Sequence, residues 1–265
     1  MVVDFDPVAF HLFGWPVHWY GLMYLCGFLA AWWIGRLQLK RPAGRGWTAQ
    51  MVDDMLFYGG LGVILGGRIG YVLFYNFGAF LDDPLMIFRI WQGGMSFHGG
   101  LLGVLAALWY CHRKFGKRYF EIVDFAIPMI PLGLGFGRIG NFINGELWGK
   151  PTDLPWGMIF PAAGPEPRHP TPLYEALLEG LVLFVIVWIY SARPRPTMAT
   201  SGVFAIGYGT FRILVEFVRL PDTHIGYLAF GWVTMGMVLS LPLVLAGIVL
   251  VWLAYRQPAM KEGKA

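Results

Sequence analysis

The sequence predicts an all-α integral membrane protein of seven transmembrane helices, N-terminus outward and C-terminus cytoplasmic, with a small outward-facing head between spans four and five. Three observations carry this. The chain is 57% hydrophobic and only 14% charged, more apolar surface than a soluble core of 265 residues can bury. Uncharged stretches run over 7–35, 56–67 and 225–255, and a helical span takes about 20 apolar residues. The basic residues sit in short clusters on alternate connections, the pattern that orients helices in a bilayer. The chain reads as a single polytopic domain over 1–265 with the head inserted at 145–171.

In order, the expected spans are 17–36, 52–75, 97–112, 121–142, 172–192, 201–219 and 229–255. No Lys or Arg precedes Arg36, so no basic leader is recognised and the first span is expected to persist in the mature chain. Arg36, Lys40, Arg41 and Arg45 follow span one, and Arg113, Lys114, Lys117 and Arg118 follow span three. Arg193 and Arg195 follow span five; Arg256, Lys261 and Lys264 close the chain. Those connections are therefore assigned to the cytoplasm. Between spans four and five, the stretch from Lys150 to Thr171 holds six prolines and mixed charge, too long and turn-rich for a plain connector. Thr171 and Pro172 read as N-cap and first residue of span five. Glycines at 62, 66 and 70, at 99 and 103, and at 133 and 137 recur every fourth residue, which lets helix backbones approach in lipid.

Several function classes fall away. The net charge of +4 comes from topology-setting clusters and does not point to nucleic acid. Cys26 and Cys111 lie in apolar runs, with neither a disulfide nor a metal site indicated. The histidines at 11, 18, 98, 112, 169 and 224 show no ligand spacing, and no metal or cofactor is expected. Gly135, Gly137 and Gly140 satisfy G-x-G-x-x-G, but no βαβ unit surrounds them.

Polar groups inside apolar helices are expensive and usually functional. Arg68, Arg138 and Arg212 fall within spans. Arg138 opens the segment GRIGNFINGELWG over 137–149, which adds Asn141, Asn144 and Glu146. Tyr208, Arg212 and Glu216 are spaced by four, one face of span six, with Arg219 a turn further. Two arginines from different helices could form one anion pocket, since guanidinium forks suit phosphate oxygens. His98, in GGMSFHGG, and Tyr20, in HWYGLMY, are assigned to the same outward level. GRIG occurs at both 67–70 and 137–140, which in a chain with 36 glycines reads as chance rather than duplication.

These motifs resemble the bacterial prolipoprotein diacylglyceryl transferase family, over nearly the full length. The matching segments are HWYGLMY at 18–24, GGRIGYVLFYNF at 66–77, GGMSFHGG at 93–100, GRIGNFINGELWG at 137–149, RHPTPLYE at 168–175 and GYGTFRILVEFVR at 207–219. The resemblance implies a seven-span enzyme of the inner membrane with a periplasmic head. Its substrates would be phosphatidylglycerol, taken from the membrane lipids, and prolipoprotein signal peptides bearing a lipobox cysteine. The diacylglyceryl group would pass to the cysteine thiol, releasing glycerol 1-phosphate, without a cofactor. It further implies that His98, Arg138 and Arg212 are catalytic, and that Tyr20, Asn141, Glu146, Gly149, Tyr208 and Glu216 bind or support the lipid headgroup. The chain departs from the family pattern at Pro172 and Met237, where glutamine is usual.

The basic clusters carry a topology prediction. Reporters fused near Arg41, Lys117, Arg195 and the C-terminus should read cytoplasmic, and those near Asp82, Gly164 and Asp222 periplasmic. A cytoplasmic signal at Gly164 would overturn the arrangement.

Overall fold

The computed structural model describes residues 1–89, 91, 93–221 and 226–256. Asp222, His224, Lys261 and Lys264, named above, lie outside the described residues. The chain opens with a hairpin of β1 (Val8–Leu12) and β2 (Trp15–His18), followed by α1 (Trp19–Gln38), α2 (Ala49–Tyr75), the short α3 (Phe77–Asp82), α4 (Phe97–Phe115) and α5 (Tyr119–Ala126). Next come α6 (Pro131–Ile143), two two-residue strands, β3 (Met158–Ile159) and β4 (Pro167–Arg168), α7 (Thr171–Glu175), a π-helical segment (Ala176–Val182) and α8 (Leu183–Tyr190). Two long helices, α9 (Ala199–Glu216) and α10 (Met235–Arg256), complete the described elements.

The protein is mostly helical. Among the described residues, three helices are long and apolar enough to cross a membrane: Ala49–Tyr75, Thr171–Tyr190 and Met235–Arg256. A fourth is added if Tyr119–Met129 and Pro131–Ile143 form one broken span. The break has a local cause, because Pro131 lacks the backbone N–H that would continue the helical hydrogen-bond ladder.

Other boundaries differ from the sequence reading for equally local reasons. Phe13 and Gly14, with φ of 50° and 85°, close the tight turn of the N-terminal hairpin, so an uncharged stretch begins as strand. The final helix starts at Met235 rather than near 229, because Ala229 and Val233 pair across a turn. Thr234 then caps it, its hydroxyl accepting from the Met237 N–H at 3.3 Å. Thr171 is not a cap. It lies inside the first turn of α7, and its hydroxyl donates to the Leu147 carbonyl.

The described residues form two compact units, one of Gly44–Ala126 and one of Met1–Ala43 with Ile127–Ala265. In the first, α2 and α4 pack backbone to backbone through the expected glycines. A Cβ on Gly66 or Gly70 would stand 2.8 Å from the Cα of Gly103 or Gly99. Thr48 and Ser96 cap the two helices, their hydroxyls accepting from Met51 N–H and Gly99 N–H at 3.2 Å each. Arg68, only 4% exposed, spends its donors on the carbonyls of Met86, Ile87, Arg89, Gly93 and Gly94. It is thus the anchor of the loop leading into α4, which gives this intramembrane arginine a structural explanation.

In the second unit, the residues after α6 form the small head. Ile159 and Met158 pair with Pro167 and Arg168, Val2 bridges to Ile159, and Val3, Phe142 and Phe160 fill its core beside Trp148, Met158 and Leu173. The segment at Gly149 and Lys150 ties this head to the end of α9. Gly149 N–H donates to His169 O at 2.8 Å, and Lys150 N–H donates to Val218 O at 2.9 Å.

The α2–α4 seam generates a stability prediction. A methyl at Gly103 would meet the Gly62 backbone, with its carbonyl carbon at 2.7 Å. Overpacking against backbone that cannot swing away costs about 1–3 kcal/mol or more. Gly103→Ala should therefore lower the thermal midpoint of the detergent-solubilised protein by several degrees. An unchanged midpoint would remove the close seam.

Candidate active site

Charges inside an apolar helical protein must find partners, because an uncompensated buried ion costs several kcal/mol. The second unit answers this with a chain of alternating arginines and glutamates across three helical segments. Arg138, in α6, places Nε 3.0 Å from Glu175 Oε2, in α7. The other oxygen of Glu175 takes Arg212 Nη1, in α9, at 2.8 Å. Arg212 Nη2 pairs with Glu216 one turn on, and Glu216 Oε1 also takes Arg219 Nη1 at 3.1 Å. Thr234 donates its hydroxyl to Glu216 Oε2. Gly236 makes room for this carboxylate, since a Cβ there would lie 2.6 Å from Glu216 Cδ.

The two arginines expected to act together differ. Arg212 is 12% exposed with both terminal nitrogens on carboxylates. Arg138 is 25% exposed and engages Glu175 through Nε. Among the described residues its terminal nitrogens form no hydrogen bond, and Glu179 comes no closer than 3.9 Å to Nη2. That leaves the forked edge of one guanidinium open while the other is committed. Tyr208, two turns before Glu216 on α9, lies within electrostatic reach of both arginines and of Glu175 and Glu179.

Beside this chain stands a second polar group. Asn141, one turn after Arg138, donates to Glu146 Oε1 at 2.9 Å, and Asn144 donates to the same oxygen at 3.2 Å. Tyr20 packs its ring on Gly140, where a Cβ would meet ring carbon Cδ2 at 2.8 Å, and its hydroxyl lies 3.4 Å from that of Tyr24. Asn141 lies within side-chain interaction reach of Tyr20. Gly149 has a structural reason to be glycine, because a Cβ would press on His169 Cβ and Thr171 Cγ2 at 2.8 Å.

Tyr20 joins this second group to the first, since it lies within electrostatic reach of Arg138. A family model described as prolipoprotein diacylglyceryl transferase matches residues 7–253. The chain belongs to this family. It is 58% identical over 260 residues to the phosphatidylglycerol–prolipoprotein diacylglyceryl transferase of Oleidesulfovibrio alaskensis, covering 97% of both chains. It is 59% identical over 250 residues to the enzyme of that name in Methylococcus capsulatus, covering 94% of this chain and 95% of the relative. The Coxiella burnetii enzyme of that name is 55% identical over 251 residues, with 95% and 96% covered.

Within the second unit, the structure brings together Tyr20, Arg138, Asn141, Glu146, Tyr208, Arg212 and Glu216. Gly149 stands at the head junction. His98 belongs to the other compact unit, exposed in the first turn of α4 with its ring edge-on to Phe97 at 5.6 Å between centroids. The two GRIG arginines do unlike work: Arg68 binds carbonyls and Arg138 binds carboxylates.

Sequence reasoning missed Glu175 and Glu179. Both are about 1% exposed and sit in the apolar helical run Thr171–Tyr190, four residues apart. Intramembrane carboxylates carry the same signal as intramembrane arginines, and weighing them equally would have found both. His169, Tyr174 and Trp156 form a further polar group in the head. Trp156 Nε1–H donates to the Tyr174 hydroxyl at 2.8 Å, and that hydroxyl lies 3.2 Å from His169 Nδ1. Partial burial, with the nearby Lys150 adding, holds the His169 imidazole below its usual range.

Proposed function

We propose that this protein moves the sn-1,2-diacylglyceryl group of phosphatidylglycerol onto the thiol of a lipobox cysteine in a prolipoprotein signal peptide. The products are a thioether-linked prolipoprotein and glycerol 1-phosphate. The location is the bacterial inner membrane, multi-pass, with seven spans, a periplasmic N-terminus and a cytoplasmic C-terminus. The names of the relatives support the substrates. The observation that carries the chemistry is the open fork of Arg138, held by Glu175 and backed by the neutralised pair of Arg212 and Glu216.

In this reaction a bond forms between the cysteine sulfur and a glycerol carbon, and the bond from that carbon to a phosphate oxygen breaks. The electron pair leaves with the phosphate, so charge on the leaving group must be held as it develops. Arg138 suits this: two parallel N–H groups match two phosphate oxygens, whereas an ammonium offers a point charge. Arg212 fixes Glu175 and through it the orientation of Arg138. Asn141, Glu146 and Tyr20 would orient the glycerol headgroup, Tyr208 and Glu216 would support the arginines, and Gly149 keeps the head close to the end of α9. The attacking thiol, of pKa about 8.5, is mostly protonated at neutral pH and needs a proton acceptor. Imidazole suits that task, and the family resemblance makes His98 the candidate base or thiol-orienting group, with phosphate contact as its alternative role.

An anion transporter would also place arginines in interrupted, glycine-rich helices. Its mark would be internal two-fold symmetry, and the unlike partners of Arg68 and Arg138 speak against a repeated unit.

Incubation of the purified protein with phosphatidylglycerol and a lipobox peptide tests the activity directly. Arg138→Lys should lower kcat about 100-fold to 1000-fold, as loss of an oriented donor does, with the thermal midpoint little changed. Arg212→Lys should lower both, because it strands a carboxylate shared between helices. Near-normal turnover in Arg138→Lys would reduce that residue to a structural ion pair.

His98→Ala separates base catalysis from other tasks. A general base contributes about 100-fold to 10000-fold, a contribution that shrinks once the medium ionises the thiol. The variant should be severely impaired at pH 7 and recover in part toward pH 9, whereas Arg138→Ala should not. An equally deep defect across that range, in folded protein, excludes the base role.

A further inference from the structure

One buried carboxylate takes no part in the mechanism above. Glu179 lies in the π-helical segment, about 1% exposed, and neither of its oxygens meets a hydrogen-bond donor among the described residues. Buried polar groups are nearly always satisfied, so such an orphan calls for an explanation. Its nearest cation is Arg138, with Nη2 at 3.9 Å. Glycines put it there: a Cβ on Gly180 would stand 2.7 Å from the Gly135 Cα, so this segment lies backbone to backbone against α6, one turn before Arg138.

The charges of the cluster can be matched one by one. Glu175 is shared by Arg138 and Arg212, and Glu216 by Arg212 and Arg219. Among the described residues three arginines then face two committed carboxylates, and with Glu179 as the third acid these six groups sum to a formal charge of zero. Glu179 does this without occupying the fork of Arg138, which stays open to an oxyanion. An incoming phosphodiester adds one negative charge to this neutral cluster, and a phosphomonoester above its second pKa of about 6 adds two.

We propose that Glu179 is a specificity-determining residue that makes the site favour a singly charged phosphodiester over a doubly charged phosphomonoester. The inference rests on the reading of Arg138 as the phosphate fork. A like charge a few ångströms from the bound phosphate raises the energy of the dianion more than that of the monoanion. The substrate would thus be retained and the product, which leaves with the extra charge, expelled.

The test is competitive inhibition of the purified enzyme at pH 8 by two soluble probes. One is glycerol 1-phosphate, a dianion, and the other is glycerophosphoglycerol, the monoanionic deacylated form of the lipid. In the wild type, glycerol 1-phosphate should be the weaker inhibitor. Glu179→Gln, which keeps the shape and removes the charge, should tighten glycerol 1-phosphate about tenfold while moving the diester less than about threefold. Glu179→Asp should keep the wild-type ratio. A purely structural role would shift both constants together and leave their ratio alone. An unchanged ratio in Glu179→Gln overturns the proposal, as does a wild type inhibited at least as tightly by the dianion, a result that requires no variant to fold. If Arg138→Lys changes neither inhibition constant, the failure lies with the phosphate fork itself, and the proposal falls with it.

Discussion

The carboxylate of Glu175 is the interaction on which the rest of the site depends. It is almost fully buried, and its two oxygens serve Arg138 on one helix and Arg212 on another. Neither arginine could remain charged in an apolar interior alone, and neither could be aimed without a fixed partner. Because Glu175 meets Arg138 through Nε, the forked end of that guanidinium is left free. Had the same carboxylate taken the two terminal nitrogens, the cluster would be a closed salt bridge with nothing to offer a phosphate. A structural ion pair and a binding site are here one arrangement, separated only by which nitrogen is used.

Such contacts need helices closer than ordinary side chains permit, and glycine supplies the approach repeatedly. Gly27 lies against Gly133 where α1 meets α6, and Gly135 against Gly180 where α6 meets the π-helical segment. Gly202 lies against Gly247 where α9 meets α10. In lipid there is no hydrophobic drive between apolar helices, so close packing and buried polar contacts hold the unit together. The arginine and glutamate chain stands among these seams. Its polar contacts and the glycine contacts support each other, because the seams set the spacing that the ion pairs require.

Much of this was legible in the chain. The four-residue spacing of Tyr208, Arg212 and Glu216 predicted one helix face, and Arg212 does pair with Glu216. The glycines at 62, 66, 70, 99 and 103 predicted a close helix pair and form one. Less legible were features that depend on partners distant in sequence. Arg68 stood in a span with no role assigned, and its partners are the carbonyls of Met86, Ile87, Arg89, Gly93 and Gly94, 18 to 26 residues further along the chain. Glu175 and Glu179 were passed over because the apolar run around them reads as an ordinary span. The break before Pro131 and the hairpin at Phe13 and Gly14 are local events that hydropathy averages away.

The sequence by itself determined the membrane class, the mostly helical fold, the family and several of the polar residues near Arg138. These follow from composition, from short periodicities and from motifs, all properties of neighbouring residues along the chain. Only the tertiary structure decided which charge meets which. The rotation of each helix and the depth at which helices cross set those pairings, and both arise from packing among segments far apart in sequence. For that reason two arginines that looked equivalent in the chain prove unequal, Arg212 enclosed by carboxylates and Arg138 left with an open edge.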